Sequence, residues 1–366
     1  MALSTIPFSG LGADASKQGV NFRNLIINGD MSIAQRGTQT GVTTNTYGSP
    51  DRWLTALNTL GTWTISQDTD VPTGQGFANS LKLDCTTADA SPAAGDRIFL
   101  SQRLEGQMLQ SLKKGTSNAE STTVSFWVKS NVTGTYILEL FDNDNTRQVS
   151  KTYTIDSAST WEKKTITFDG DTTGTLDDDN NASLYVQWWL GAGTNWTSGT
   201  ASGSWATNTN ANRAAGLTAN IGSDTANEWY ITGVQLEVGT SATPFEFLPY
   251  DVNLQRCMRY YQVLVNGDDQ SFENFTSYNG ASVYCAHRFN VTGMRTAPTG
   301  ITSNNTNDFA FYSQGNAHFA PSLSFDHIHE RGSWIYCTMA TSVTQGSSLF
   351  GKSNTSTALC AFDAEL

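Results

Sequence analysis

The sequence predicts an all-β protein: a jelly-roll β-sandwich, a short helix and a second, smaller β domain, behind an extended N-terminal arm. Three observations predict it. Between residues 24 and about 249, short runs of alternating apolar and polar side chains recur, separated by Gly, Asn and Asp turns. Thr, Ser, Asn and Gly dominate the composition, with 32 glycines and only 15% charged residues; Thr favours strands, and Asn and Gly favour turns. Finally, the stretch 229–261 changes from strand period to helix period, which marks a seam between domains.

Taken in order, residues 1–23 hold few apolar anchors and are interrupted by Gly10, Gly12 and Gly19, so they read as an arm. Strands are expected over Thr62–Ser66, Ser80–Leu83, Arg97–Leu104, Thr123–Lys129, Thr135–Phe141, Trp161–Phe168, Ser183–Leu190 and Trp229–Glu237. In the last of these, alternation puts Tyr230, Thr232, Val234 and Leu236 on one face and Ile231, Gly233, Gln235 and Glu237 on the other. Only Leu104–Leu112 looks briefly helical within the sandwich. The segment 191–222 reads as a loop excursion that carries Trp196 and Trp205. After it come Phe245 and Phe247 in a tethered linker, then a helix over 250–261 with Asp251 at its start and Leu254, Cys257, Met258 and Tyr261 at helical spacing. Strand signals resume over Ser282–Phe289, Asp308–Tyr312 and Trp334–Met339, giving a distal domain over 262–366.

Charge and composition exclude several classes. The formal net charge is −12 and no basic run occurs, so phosphate neutralisation, and with it nucleic-acid binding, is not expected. No run approaches the roughly 20 apolar residues of a membrane span. The N-terminus lacks the charged region and apolar core of a signal peptide, so synthesis in a cytoplasm is expected. The five cysteines are widely spaced, without a Cys-x-x-Cys pair, and read as reduced, buried small hydrophobes. No Gly-x-Ser-x-Gly elbow, His-Glu-x-x-His helix or phosphate-cradling glycine loop is present, so no enzyme is expected.

The motifs Asn24–Met31, Gln35-Arg36-Gly37 and Asp51-Arg52-Trp53, paired with Gly233–Glu237, Thr243–Glu246 and Cys257–Tyr261, resemble a family of bacteriophage tail-fibre and related virion structural proteins. Its main domain is similar to the jelly-roll carbohydrate-binding modules of polysaccharide hydrolases. The resemblance covers about residues 24–261 and continues more weakly to the C-terminus. It implies a virion location, docking on other virion proteins through the arm, a homotrimer, and a strand near the start lying beside one near the end. A structural calcium often sits near those two strands in such modules; here the matching residues are Asn28 and Asp30 with Glu228 or Glu237, hard oxygen donors of the right type. The alternative reading is a plain turn at Asn28-Gly29-Asp30 and a solvated Glu237.

The other candidates come from residue chemistry. Sugar rings present flat C–H faces that tryptophan stacks upon, so Trp188, Trp189, Trp196 and Trp205, with Asn195 and Asn208, are candidate glycan-binding residues. Trp188 and Trp189 are adjacent in a strand and must point to opposite faces, so at least one is expected in the core. His327 and His329, sharing one face of a strand, supply two nitrogens per chain, enough for a metal only if several copies meet on an axis; two surface histidines are the plainer reading. Leu254, Cys257, Met258 and Tyr261 could line an oligomer axis. The function expected is attachment of the particle to host surface glycans without catalysis. The alternatives are a purely architectural virion component and a glycan-depolymerising tailspike, which would need two carboxylates meeting across a groove.

Overall fold

A computed structural model of the protein describes residues 22–289, 293–305, 307–320 and 322–366. The expected arm therefore lies, up to residue 21, outside the described residues. The chain forms two compact units, Met1–Tyr250 with Leu366, and Asp251–Glu365.

The first unit is an antiparallel jelly-roll sandwich. Its strands are β1 (Gln39–Tyr47), β2 (Leu54–Asp68), β3 (Ser80–Thr87), β4 (Arg97–Glu105), β5 (Thr122–Ser130), β6 (Gly134–Asp142), β7 (Arg147–Ile155), β8 (Glu162–Phe168), β9 (Ala182–Ala192), β10 (Ala206–Thr207) and β11 (Glu228–Val238). The pairing order is β10-β7-β6-β9-β4-β2-β3-β11-β5-β8, with β1 on β2. The long β2 serves both layers. Leu54–Thr59 pairs with β4, and Thr62–Asp68 pairs with β3. Between them Gly61 sits at φ +74°, and a Cβ there would lie 2.5 Å from the Thr87 carbonyl oxygen; only glycine lets the strand turn that corner.

Alternate side chains of the central strands enter the space between the layers. Leu100, Leu138, Val186 and Trp188 from one layer meet Leu83, Phe126, Val128 and Trp229 from the other in a single core. On β11 the simple alternation expected from the sequence does not hold. A bulge between Thr232 and Gln235, with Gly233 at φ +62°, resets the register, so Trp229 and Ile231 face the core together with Val234 and Leu236. Asn24 and Leu25 run beside the far half of this strand: Leu25 N donates to the Leu236 carbonyl at 2.9 Å, and Asn24 Nδ2 to the Val234 carbonyl at 3.0 Å. The stretch expected to be helical at Leu104–Leu112 is instead the end of β4 followed by two short 3-10 turns, Gly106–Met108 and Gln110–Leu112. Gly106 begins it, and no run of good helix formers follows long enough to overcome nucleation.

The second unit opens with a helix, α3 in chain order after two single-turn helices described below. It spans Tyr250–Met258. The helix expected to reach residue 261 thus stops earlier, and Tyr261 begins β12 (Tyr261–Asn266). The remaining strands are β13 (Ser271–Ser277), β14 (Ser282–Arg288), β15 (Thr299–Thr302), β16 (Phe309–Ser313), β17 (Asn316–Ala320), β18 (Ser324–His329), β19 (Gly332–Thr338), β20 (Ser348–Ser353) and β21 (Leu359–Asp363). They form a three-stranded sheet, β12-β21-β15, and a seven-stranded sheet, β17-β16-β20-β13-β14-β19-β18. Phe275, Val283, Phe309, Phe311, Ile335 and Leu349 point inward from the larger sheet and pack with Val265, Cys360 and Phe362 of the smaller one. All five cysteines are buried; burial pushes the thiols of Cys285 and Cys337 up to about 12.

Candidate functional site

Alternate side chains of a strand point to opposite faces of its sheet. On β13, β14 and β19 the inward row is Phe275, Val283, Cys285, Ile335 and Cys337. The outward row is Thr276, Tyr284, Tyr336 and Trp334, held in register by the pairs Thr276–Tyr284, Tyr284–Tyr336 and Ala286–Trp334. This row is aromatic where a solvated strand is ordinarily polar.

The rings form one cluster. Tyr284 and Tyr336 stack at 5.1 Å with 14° between planes, Tyr278 meets Tyr284 edge-on at 5.5 Å, and Trp334 meets it at 6.3 Å. Such pairs support one another beyond their buried area. Tyr278 is 68% exposed and Trp334 48%. Together with Thr276, Asp326 and Gln345 they line an open groove of about 670 Å³. Asp326 is the one charged group among the lining residues. His327 Nδ1 lies 3.3 Å from it and the His327 ring 4.7 Å from Trp334. An open apolar floor with a few hydroxyl, amide and carboxylate groups at its rim suits a ligand with flat C–H faces and many hydroxyls.

The residues singled out from sequence fall elsewhere. Trp188 and Trp189 are both fully buried, which corrects the expectation that either stacks on a sugar. Trp188 enters the sandwich core, and Trp189 faces the other way beneath the segment 193–222. That segment carries α1 (Thr194–Thr197) and α2 (Asn210–Arg213) and roofs the outer face of β6 and β9. Trp196 is half-buried, 5.6 Å from Trp189, with its Nε1 donating to the Gly95 carbonyl and the Arg97 guanidinium 4.5 Å from its ring. Trp205, also half-buried, donates to the Asp169 carbonyl and carries Lys114 5.2 Å from its ring. These two rings anchor the loop. Asn195 stays exposed, and Asn208 is half-buried with its Nδ2 on Asn210.

Beneath the roof lies a buried ion pair. Glu139 is fully buried; its carboxylate accepts from Arg213 Nε at 2.8 Å, Arg213 Nη2 at 3.1 Å and Trp189 Nε1 at 2.8 Å. Arg213 Nη2 also donates to Gln187 at 2.7 Å. This is a clamp that closes the loop on the sheet.

The oxygen donors considered for calcium are engaged internally. Asn28 Nδ2 donates to the Ile33 and Asp51 carbonyls and its Oδ1 accepts from Ile33 N. Asp30 accepts from Ser32, Glu228 pairs with Lys82 at 2.6 Å, and Glu237, fully buried, accepts from Thr243 N and Oγ1 and from Gln235. Among the described residues no group of three or more His, Cys, Asp or Glu is placed to hold a metal. The strand carrying His327 and His329 is irregular, with His327 at φ +48° and a register shift before His329; His327 leans on Trp334, while His329 Nδ1 accepts from Arg331 N. In the helix stripe Cys257 and Tyr261 are buried, and Leu254 and Met258 half-buried, so half of the stripe expected at an oligomer axis is enclosed in the folded chain. Among the described residues no helix is long and apolar enough to cross a membrane.

Sequence reasoning missed Tyr278, Tyr284, Trp334 and Tyr336. A signal was there: in the two alternating runs Ser282–Phe289 and Trp334–Met339, large aromatics occupy the face opposite the aliphatic one.

No protein-family model matches this chain, and no curated protein matches it. Solved structures similar to it include a putative sugar-binding protein from Bacteroides thetaiotaomicron (15% identity, 59% of this chain and 99% of that one, TM-score 0.32). Another is a family 61 carbohydrate-binding module in complex with beta-1,4-galactotriose (13% identity, 59% and 99%, TM-score 0.28). A third is the enzymatically active domain of tailspike protein 4 of bacteriophage CBA120 (12% identity, 59% of this chain, TM-score 0.30), of which the match spans 21%. The ligands and activities named for these proteins are properties of those proteins.

Proposed function

We propose that this chain is a non-catalytic glycan-binding protein of a phage particle, and that the outer face of its seven-stranded sheet does the binding. The observation that carries the reading is the groove in which Tyr278 and Trp334 stand exposed, with the half-buried Tyr284 between them, among Thr276, Gln345 and Asp326. Exposed rings there remove apolar surface from water only when a ligand covers them. Hydrolysis of a glycosidic bond ordinarily takes two carboxyl groups about 5–9.5 Å apart, and Asp326 is the single carboxylate among the lining residues; this supports binding without cleavage. In this reading the chain docks on other virion proteins through residues 1–23 and assembles as a homotrimer, so that weak single contacts sum to useful avidity.

The test is a glycan array probed with wild-type protein and with Trp334→Ala. Wild type should bind a subset of surface saccharides, and the variant should lose on the order of tenfold in affinity, the effect of about 1.4 kcal/mol of ring contact. Equal binding by both proteins would remove the groove from the function. Antibody labelling of intact particles checks the location.

A further inference from the structure

The aromatic groove does not end at β13. On the next two strands of the same face, Phe350 on β20 and Tyr312 on β16 form a second cross-strand pair, stacked at 5.1 Å with 17° between planes. Phe350 is 46% exposed. This pair borders its own groove of about 460 Å³, beside Asn274, Gln314 and Ser348. The ladder places the two stations on one face, on rungs two residues apart: Tyr312 pairs with Phe350 and Phe350 with Asn274 on one, and Ser348 with Thr276, Thr276 with Tyr284 and Tyr284 with Tyr336 on the next. From the Tyr312 strand to the Tyr336 strand is four inter-strand steps, or ~19 Å at the usual spacing.

What lies between the stations limits the occupant. The interval is Asn274, Thr276 and Ser348, an amide and two hydroxyls, so a lipid or the apolar face of a helix would leave polar groups covered and unpaired. No lysine or arginine lines either groove, and Asp326 is the one charge among the lining residues; Lys352, beside Tyr312, is already paired with Asp269, so an acidic polymer gains little attraction here and meets the Asp326 carboxylate. A chain that alternates C–H faces with hydroxyls matches rings, then hydroxyls and an amide, then rings.

Building on the reading above, we infer that the ligand is a linear, uncharged oligosaccharide lying across the strands and held at both aromatic stations at once. Length dependence follows. The second station adds contact without a second loss of translational freedom.

The experiment is calorimetric titration of the full chain with neutral glucan, xylan and galactan oligosaccharides from disaccharide to hexasaccharide, and with a uronic acid oligomer. Affinity for the bound neutral series should rise on the order of tenfold between the shortest and longest members. Phe350→Ala should abolish that rise while leaving the shortest ligand unchanged, and Phe350→Tyr should keep it. Trp334→Ala should weaken every length. Affinity independent of length, a Phe350→Ala variant with the full rise, or preference for the uronic oligomer overturns the inference while the glycan-binding reading stands. Failure of the wild type to bind any of these saccharides, with self-association lost on Trp334→Ala, overturns both and gives the face to a second copy of the chain.

Discussion

Among single residues, the pair Glu139–Arg213 shows most directly how chemistry and burial interact. A fully buried carboxylate held by two guanidinium nitrogens and an indole N–H is stable as a set and unstable in part. Removing the arginine leaves a buried charge without water or counter-ion, held by the indole N–H alone. Arg213→Met should therefore cost about 3–5 kcal/mol, whereas Arg213→Met combined with Glu139→Leu should recover most of it. Chemical denaturation of the three proteins measures this; a double variant as unstable as the single one would show that the clamp is not electrostatic. The adjacent tryptophans teach the same lesson about context. Trp188 and Trp189 had to face opposite ways, which their adjacency alone required. That both faces are covered, one by the second sheet and one by the loop 193–222, depends on contacts far away in sequence.

At the scale of elements, the sandwich turns on β2 and β11. Gly61 allows one strand to serve two layers, and its neighbour at 2.5 Å is the backbone oxygen of Thr87, which cannot retreat without breaking the β2–β3 ladder. Gly61→Val should destabilise the first unit by at least about 1–3 kcal/mol through left-handed strain alone. Gly48→Ala makes a useful control, because it keeps negative φ and meets only side-chain atoms, the nearest at 3.3 Å. Equal loss in the two variants would argue against a corner role. The bulge at Gly233 explains why the face assignment on β11 came out half inverted: one inserted residue shifts every later side chain to the other face. The helix at 250–261 was legible in type and start. Its end was not, because Tyr261 satisfies both a helical period and the first position of β12, and the pairing of Tyr261 with Asp363 decides between them.

For the whole molecule, two separate apolar cores mean that acid should be felt in both units. In the first, Lys114 pairs with Asp142 and Asp171, and Arg147 holds Asp171 at 2.7 Å. Burial works to raise the Asp171 carboxyl, but hydrogen bonds from Arg147 and Lys114 outweigh it and hold the group below the usual carboxylate range. In the second, burial likewise opposes and hydrogen bonds from Ser303, Thr355 and Thr357 prevail, lowering Asp308. A group lowered in the folded state stabilises it above its unfolded value, about 3.9, and loses that contribution as pH falls through the folded value. Thermal unfolding should thus be insensitive to these two groups at pH 5–8 and drop below about pH 4, and Asp171→Asn should flatten that drop in the first unit. An unchanged acid slope in the variant would exclude Asp171 as its source.

The sequence by itself determined the class of this protein: β-rich, turn-punctuated, divided near residue 250, with cysteines in the interior. Those properties follow from local period and composition, which neighbours in the chain dictate. Only the tertiary structure decided which aromatics face water. Alternation shows that Tyr284 and Tyr336 oppose Val283 and Ile335, but whether a given face is covered depends on which distant segment packs on it. The loop tryptophans, chosen for their polar surroundings, are drawn inward onto the sheet. Trp334, in a strand that looks like ordinary core, and Tyr278, in the turn after β13, stand exposed beside a half-buried Tyr284.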